Sequence, residues 1–360
     1  MASSEILVES TLGSDSESDP KNLIFPDFDS IKVSTKTFIV MTNMILNIDK
    51  LFNFLPITDY ILVPKRRGRK KKNEPDDPNK YIPSGSIITL EYQNKIRGVD
   101  LKKKKRKNKD KKKRGNYFRN SVTIVMIMSG KKINYKVSRN GKFQMTGCKE
   151  DEQADQCVKW FWNYIKNTDD IYSIVGQDGK KKEEKQPVTV SDSESESETE
   201  NKTGKKDIPE LKAIFIPAMR NIDFGLNFFV DREKLDEYFN MFTDYTSLLE
   251  TSFGYTGVNI KIPIDKPISD LQLKQLRCVD GKWCGEEYVP YDDYLSMLHP
   301  KDAAKKLKKN RYNTFLVFHS GKVIMSGMEA SFMRDVYYEF LDIIRECYDV
   351  IEERLESHEK

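Results

Sequence analysis

The sequence lacks the features that mark membrane-spanning, disulfide-bonded and common catalytic proteins. It contains no run of the roughly 18 apolar residues that a membrane helix needs. Its five cysteines are scattered and odd in number, which does not suit a disulfide scaffold. Only three histidines are present, and no HExxH, Walker, GxSxG or GxGxxG motif occurs. We therefore expect no enzymatic activity, no cofactor or metal, no membrane contact and no small-molecule substrate.

Apolar residues are scarce and charged residues abundant. They make up 38% and 32% of the 360 residues, against typical values of roughly 45–50% and 25%. The net charge of +5 hides two basic runs, since residues 65–72 hold seven basic groups and no acid, and residues 102–114 hold eleven against one. Acidic residues are concentrated at 1–30 and 191–200. This composition indicates folded cores interrupted by long polar segments.

Changes in composition divide the chain into two folded regions with a polar segment between them. Segments that are rich in Ser, Lys and Glu bury too little apolar area to fold by themselves. The expected organisation is a disordered acidic tail at 1–30, a first folded unit at 31–170 with basic insertions at 65–80 and 102–114, a charged flexible linker at 171–210, and a second unit at 211–360 with an insertion near 265–310.

Apolar periodicity predicts the same kinds of element in both regions. Short β-branched segments separated by Gly with Ser or Asn are typical of antiparallel hairpins. Apolar residues three or four apart are typical of amphipathic helices. The expected strands are 86–92, 121–128, 133–138, 142–147, 257–262, 314–318 and 322–327, and the expected helices are 150–166, 231–242 with Asp231 as N-cap, and 330–356. The fold class is therefore α+β.

Two segments that lie 180 residues apart share one sequence pattern. Residues 140–147 (NGKFQMTG) and 320–327 (SGKVIMSG) each contain a Gly-Lys turn, two variable residues, Met, a hydroxyl residue and Gly. A long predicted helix follows each segment. A shared turn with the same flanking elements indicates two tandem repeats.

Residues 315–327 (FLVFHSGKVIMSG) resemble the TATA-box-binding proteins, and residues 139–150 resemble them more loosely. Each repeat of that family carries a Ser-Gly-Lys turn, a strand ending in Thr-Gly and a long helix. The resemblance implies a saddle in which two tandem repeats form a curved antiparallel sheet with long helices on its convex side. It also implies a general transcription initiation factor that binds and bends promoter DNA through the minor groove.

The underside of such a saddle would face DNA, and alternate residues of each strand would reach it. Family members kink DNA with aromatic side chains inserted between base steps. The resemblance assigns this role to Phe318 and Tyr255 in the second repeat, with Phe253 as the alternative to Tyr255, and to Phe118 in the first. Ser138 stands where Phe318 is expected in the first repeat, which argues against symmetric kinking. The alternative for Phe318 is an ordinary core position.

The family also has one Asn per repeat at the pseudo-dyad of the saddle. Asn221 matches this position in the second repeat, and Thr37 corresponds to it in the first, with Asn43 nearby. Further DNA contacts are expected from underside residues, namely Leu316, Ile324, Ser326, Gln144 and Thr146. These strand segments carry no charge on that side, although Asp223 would sit badly against DNA.

Basic residues would contact phosphates and make binding strongly salt-dependent. The expected contacts are Lys142 and Lys322 in the hairpins and Lys103, Lys104, Arg106, Arg67 and Arg69 in the basic runs. A nuclear localisation signal or a solvated loop is an equally valid interpretation of the two runs.

The implied partners are A·T-rich double-stranded DNA, a transcription factor IIB-like factor and RNA polymerase. The Lys- and Asn-rich composition and long charged insertions resemble divergent family copies of giant DNA viruses. This places the protein in the host nucleus or a cytoplasmic viral factory, with packaging in the virion as a further option. The alternative function is a non-enzymatic chromatin-like or virion DNA-packaging protein that binds DNA mainly through its lysine runs.

Overall fold

The computed structural model describes residues 23–63, 77–101, 120–169, 171–176, 208–249 and 257–353. The strands in these ranges are β1 (Val33–Thr42), β2 (Ile45–Leu46), β3 (Ile87–Tyr92), β4 (Lys95–Gly98), β5 (Ser121–Met128), β6 (Lys131–Ser138), β7 (Phe143–Cys148), β8 (Val175–Gly176), β9 (Leu211–Gly225), β10 (Thr246–Leu249), β11 (Gly257–Pro263), β12 (Gln272–Val279), β13 (Lys282–Trp283), β14 (Glu287–Pro290), β15 (Tyr312–Phe318) and β16 (Lys322–Gly327). The α-helices are α1 (Ile48–Phe54), α2 (Asp151–Lys166), α3 (Ile171–Ile174), α4 (Arg232–Phe242), α5 (Tyr291–Ser296), α6 (Pro300–Leu307) and α7 (Ala330–Ile351), with 3-10 turns at Phe28–Ser30 and Ile268–Asp270. None of the helices in these ranges has the length and hydropathy to cross a membrane.

The predicted strands and helices are present with small differences at their ends, and the α+β class is confirmed. Asp231 caps α4 as expected, because its carboxylate accepts hydrogen bonds from the backbone N–H groups of Glu233 and Lys234 at 3.1 and 3.2 Å. The final helix ends at Ile351, five residues earlier than periodicity suggested.

A single large antiparallel sheet contains most of the strands, and β1 pairs with β9 at its centre. Outward from β1 the order is β7, β6, β5, β3 and β4, and outward from β9 it is β16, β15, β11 and β10. Within this sheet, each half therefore begins in the chain with its central strand, β1 or β9, and the last strand that the half contributes to the sheet, β7 or β16, returns to pair with the central one.

The long helices α2 and α7 pack on one face of this sheet, which we call the helix face; the opposite face is the lower face. On the helix face of the first half, Phe143 and Met145 are fully buried in a cluster with residues of α2. On that of the second half, the rings of Phe315 and Phe340 stack with centroids 4.1 Å apart. Burying one such side chain contributes about 1.5–3 kcal/mol, so these two clusters stabilise the two halves.

The prediction of a disordered acidic tail at residues 1–30 is wrong for residues 23–30, because these residues pack on α7. Phe28 is buried against Tyr337, with ring centroids 5.5 Å apart. The guanidinium of Arg334 donates a hydrogen bond to Asp29 at 2.6 Å. The composition of the segment is polar, but its aromatic residues supply the apolar area that anchors it. Residues 1–22 lie outside the described residues.

The predicted linker at 171–210 also begins later than expected. α3 and β8 continue the first half, and β8 pairs with β2. Ile171, Ile174 and Val175 are buried in the first-half cluster, so apolar burial holds residues 171–176 in place. Residues 177–207, including the acidic tract at 191–200, are outside the described part of the chain.

The insertion near 265–310 lies between β11 and β15 and forms its own small layer. β12 pairs with the first part of β9 and carries the short strands β13 and β14. α5 and α6 follow and precede β15. The insertion is therefore joined to the main sheet through β12 and is not a separate unit.

The repeated Gly-Lys turn needs glycine in both copies. Gly141 and Gly321 have positive φ angles of 67° and 72°, and their N–H groups donate to the carbonyl oxygens of Ser138 and Phe318 at 3.0 and 2.9 Å. A Cβ atom on Gly321 would overlap the backbone carbonyl oxygen of Phe228. The turn is thus restricted both by its backbone conformation and by close packing.

We expect Gly321→Ala to lower the free energy of unfolding by more than the roughly 1–2 kcal/mol that a left-handed non-glycine residue costs. Gly130→Ala is the matched control, since Gly130 has a φ of 73° and no atom lies within 4 Å of the added Cβ. Urea unfolding of both variants measures the difference. Equal losses would contradict the close packing of Gly321 on Phe228.

Candidate nucleic-acid interface

The lower face is built by the residues that alternate with the buried helix-face residues along each strand. In β16, Val323 and Met325 are buried and Ile324 and Ser326 are half-buried. In β7, Phe143 and Met145 are buried, whereas Gln144 and Thr146 are exposed. The predicted assignment of side chains to the two faces is confirmed for these strands.

The lower face of the second half presents apolar side chains that none of the hydrophobic clusters encloses. Leu316 and Phe318 of β15 are half-buried, between Phe315 and Val317 that are fully buried. Leu316 pairs with Ile324 across the two strands, and Phe318 pairs with Gly257 of β11. Because Gly257 has no side chain, the ring of Phe318 has no cross-strand neighbour there. The core alternative for Phe318 does not fit its partial exposure.

The register of the central strands places Thr37 and Asn221 in equivalent positions. Asn221 pairs with Ser326 of β16, and Thr37 pairs with Thr146 of β7. The resemblance to the TATA-box-binding proteins predicts the same correspondence between Thr37 and Asn221. The Oδ1 atom of Asn221 is buried and accepts no hydrogen bond from the described residues, and Oδ1 of Asn259 on β11 is in the same condition. Both side chains are half-buried members of the lower face, and their Oδ1 atoms are enclosed.

Part of the lower face of the first half is covered by the chain itself. Ile88, Val125 and Ile127 are buried there beneath Tyr60, Ile82 and Leu101. Lys132 of β6 extends over the ring of Tyr60, with its Nζ atom 4.3 Å from the centroid. The sequence contained a signal for this cover, since the unbroken apolar run of β5 is typical of a strand buried on both faces. The hairpin pattern by itself does not indicate this cover.

The insertion covers a second part of the lower face, beside the central strands. Ile214 and Ile216 of β9 are buried against the insertion, and Ile39 and Met41 of β1 pack at the edge of the same cluster. The insertion contributes apolar residues to this contact: Ile268, Leu271, Leu273, Tyr291, Tyr294 and Leu295. The area of the lower face that stays open therefore lies mainly in the second half.

The lower face is not free of charge, in contrast to the expectation from the strand segments. Asp223 pairs with Ile324 and is exposed, and Lys261 of β11 is exposed opposite Thr314. The alternation of residues 257–262 could have indicated Asn259 and Lys261 as members of this face. The surface is a mixture of apolar, hydroxyl, amide and isolated charged groups.

The two hairpin lysines differ in environment. Lys322 is exposed, whereas Lys142 is half-buried. Burial, together with the nearby Lys306 ammonium, lowers the pKa of Lys142. Lys306 belongs to α6 of the insertion, so the charge of the insertion acts on the β6–β7 hairpin of the first half.

Several predicted site residues lie outside the described residues. Among them are the second aromatic wedges Tyr255, its alternative Phe253, and Phe118. The phosphate contacts Arg67, Arg69, Lys103, Lys104 and Arg106 also belong to segments that the structure does not describe. These assignments stay predictions.

The helix face has a cleft of about 460 Å³ between α2, β12 and the start of α7. The carboxylates that line it are Asp151, Glu152, Asp155, Asp270, Glu286 and Glu329. Lys36 binds Asp151 at 2.8 Å, and Lys274 binds Glu286 at 2.7 Å as well as Asp155. Burial raises the pKa of Asp155, and the hydrogen bond from Lys274 partly offsets this effect. The cleft is a strongly acidic surface on the side opposite the candidate interface.

We expect Lys274→Met to lower the free energy of unfolding by about 3–5 kcal/mol near neutral pH, because it leaves the buried Asp155 carboxylate without its cation. Without the cation the pKa of Asp155 rises further, so the loss should shrink as the pH falls through that pKa and the carboxyl becomes neutral. Urea unfolding at several pH values measures it. The double variant Lys274→Met/Asp155→Leu is the control and should recover most of the loss; a double variant as unstable as the single one would contradict this account.

The described ranges contain no group of three or more His, Cys, Asp or Glu side chains that could hold a metal ion. Their cysteines are free, and Cys284 is the exposed one.

Comparisons with known proteins identify a viral relative. No family model matches the chain. Uncharacterized protein 335L of Invertebrate iridescent virus 6 is 25% identical over 333 residues, which cover 87% of this chain and 83% of that protein. Among solved structures, Methanococcus jannaschii TBP is 12% identical with a TM-score of 0.36, over 89% of this chain and 99% of that one. The chain is thus similar to an iridovirus protein along most of its length.

Proposed function

We propose that the protein binds double-stranded DNA through the open lower face of its second half, as a TATA-box-binding-protein-like initiation factor. The observation that carries the proposal is the placement of Phe318, Leu316 and Ile324 on one uncovered sheet surface. The floor of the minor groove offers few donors and acceptors. An apolar surface with a few hydroxyl and amide groups complements such a groove better than the major groove.

Phe318 is the residue that would insert between base steps. It is the last residue of β15, next to the hairpin, and its ring has glycine as its neighbour on β11. Unstacking a base step costs about a few kcal/mol, which additional contact with the bent duplex offsets. Ser138 replaces it in the first half, so this half lacks a matching wedge at that position.

The two halves are tandem repeats in this proposal, and the sheet is a saddle that holds a bent duplex. The similar strand order of the two halves, apart from the additional edge strand β4 of the first and the insertion strands of the second, supports this, as do the equivalent pairs Thr37–Thr146 and Asn221–Ser326. The equivalent Gly141 and Gly321 turns support it further. The covered first half distinguishes the arrangement from a symmetric saddle.

The acidic cleft of the helix face is the surface we assign to the protein partners, a transcription factor IIB-like factor and RNA polymerase. DNA is excluded there by like charge, whereas a basic protein segment would be attracted. We assign the protein to the host nucleus or a viral factory, with virion packaging as the further option; similarity to an iridovirus protein supports this assignment.

The test compares wild-type protein with Phe318→Ala on an A·T-rich duplex. We expect a loss of about 1–3 kcal/mol in binding free energy, the scale of aromatic–base stacking, together with a smaller bend angle. Equilibrium titration measures the first quantity and fluorescence energy transfer between the duplex ends measures the second.

Phe242→Ala is the matched control, because Phe242 is 68% exposed on α4 and does not belong to the lower face. It should leave affinity and bend unchanged. Deletion of 102–114 separates the DNA-packaging alternative: if that deletion abolishes binding while Phe318→Ala has no effect, the lysine runs and not the lower face bind DNA.

A further inference from the structure

The insertion carries a stripe of lysines on α6 that the proposed function has not used. Residues 301–311 contain six basic side chains and one acidic side chain, Asp302. Lys301, Lys305, Lys308 and Lys309 line one open surface with Ala304, and all of them are exposed. Their spacing of three or four residues puts them on a single side of the helix and the turn that follows it.

The opposite side of α6 faces the rest of the protein. Ala303 packs at the edge of the cluster that covers Ile214 and Ile216. The Nζ atom of Lys306 is 5.4 Å from the centroid of the Tyr294 ring, and Lys306 lies near Lys142 of the first half. The orientation of α6 is therefore fixed, and the lysine stripe points away from the sheet on its lower side.

The chain that leaves α6 reaches the open part of the lower face. Lys309 and Arg311 line a groove of about 340 Å³ together with Met219, Thr314 and Ser326. Lys261 lines the same groove from β11. One wall of the groove is the basic end of the insertion, and its floor is the lower face of the second half.

Within the described part of the chain, the charge of the lysine stripe is not neutralised by ion pairs. No carboxylate of the described residues forms an ion pair with Lys305, Lys308 or Lys309. A basic ridge beside an apolar floor suits a duplex, whose phosphates flank the groove that the floor would contact.

We propose that the lysine stripe of α6 contacts the phosphate backbone of duplex DNA held against the second half, so that the insertion replaces the covered first half as a DNA-binding element. The inference rests on the proposed function, because it takes the lower face as the floor of the site. It assigns a binding role to the insertion and predicts a one-sided contact with the duplex.

The test uses the full chain with Lys305→Gln, Lys308→Gln and Lys309→Gln combined. Each phosphate contact contributes about 0.9 to the slope of log K against log salt, so the slope should fall by about 2–3 in magnitude. Hydroxyl-radical footprinting should show lost backbone protection on one side of the site.

The control combines Lys50→Gln, Lys149→Gln and Lys282→Gln, three exposed lysines on or beside elements of the helix face. It removes the same charge and should leave the slope and the footprint unchanged. Circular dichroism confirms that both triple variants fold. An equal change of slope in the two triple variants would mean that only the net charge of the protein matters, and would overturn the inference.

Phe318→Ala, measured in parallel, separates this inference from the proposed function. If Phe318→Ala weakens binding and the α6 variant does not change the slope, the lower face binds DNA without the insertion and the inference is wrong. If neither has an effect, the proposed function and the inference both fail. A change of slope in the α6 variant alone would show a DNA contact that does not include the lower face, and would also overturn the arrangement.

Discussion

The antiparallel pairing of β1 with β9 is the contact on which the rest of the structure depends. These two strands join the halves, and each also pairs with the last strand of its own half. The register shifts between Thr37, which pairs with Met219, and Phe38, which pairs with Pro217. One extra residue in β9 thereby changes which side chains face the helices. Because of this bulge, both Phe215 and Ile222 are buried on the helix face, although they are seven residues apart.

That irregularity has a direct effect on the candidate site. A slip of one residue in a strand moves every side chain to the opposite face. If β9 had no bulge, either Asn221 or Ile216 would leave the lower face. The bulge allows the first part of β9 to support the insertion and its second part to contribute an amide to the open surface. The bulge in β9 therefore determines the pairing of the strand, its contact with the insertion and the residues that it contributes to the candidate site.

Much of the fold was predictable because local patterns determined it. Alternation in 322–327 and 142–147 gave the correct faces, and the Asp231 cap gave the start of α4. The cover of the lower face was not predictable in the same way, because contacts such as Tyr60 with Lys132 join segments that no short-range pattern relates. The packing of Phe28 on α7 had the same cause. Its neighbours are acidic, and composition averaged over a tail hides one aromatic anchor.

The lower face also illustrates why a sequence match at one strand does not define a whole surface. The residues of β15 and β16 belong to the open area, whereas Ile214 and Ile39, on the same face of the central strands, contact the insertion. A similar order of the main strands in the two halves is thus compatible with unequal surfaces. The two halves differ in how much of their lower face is covered by other segments, and this difference, more than the strand order, determines which partners each half can contact.

The packing of Phe28 on Tyr337 has a consequence for biosynthesis. The two residues are separated by more than three hundred positions, and a ribosome makes the phenylalanine long before the tyrosine. During translation the aromatic side chain has no partner until the final helix has left the exit tunnel. This contact therefore forms only after α7 has been made and has emerged, and a nascent chain that stops before α7 leaves Phe28 and its neighbours as an unpacked apolar segment to which chaperones can bind.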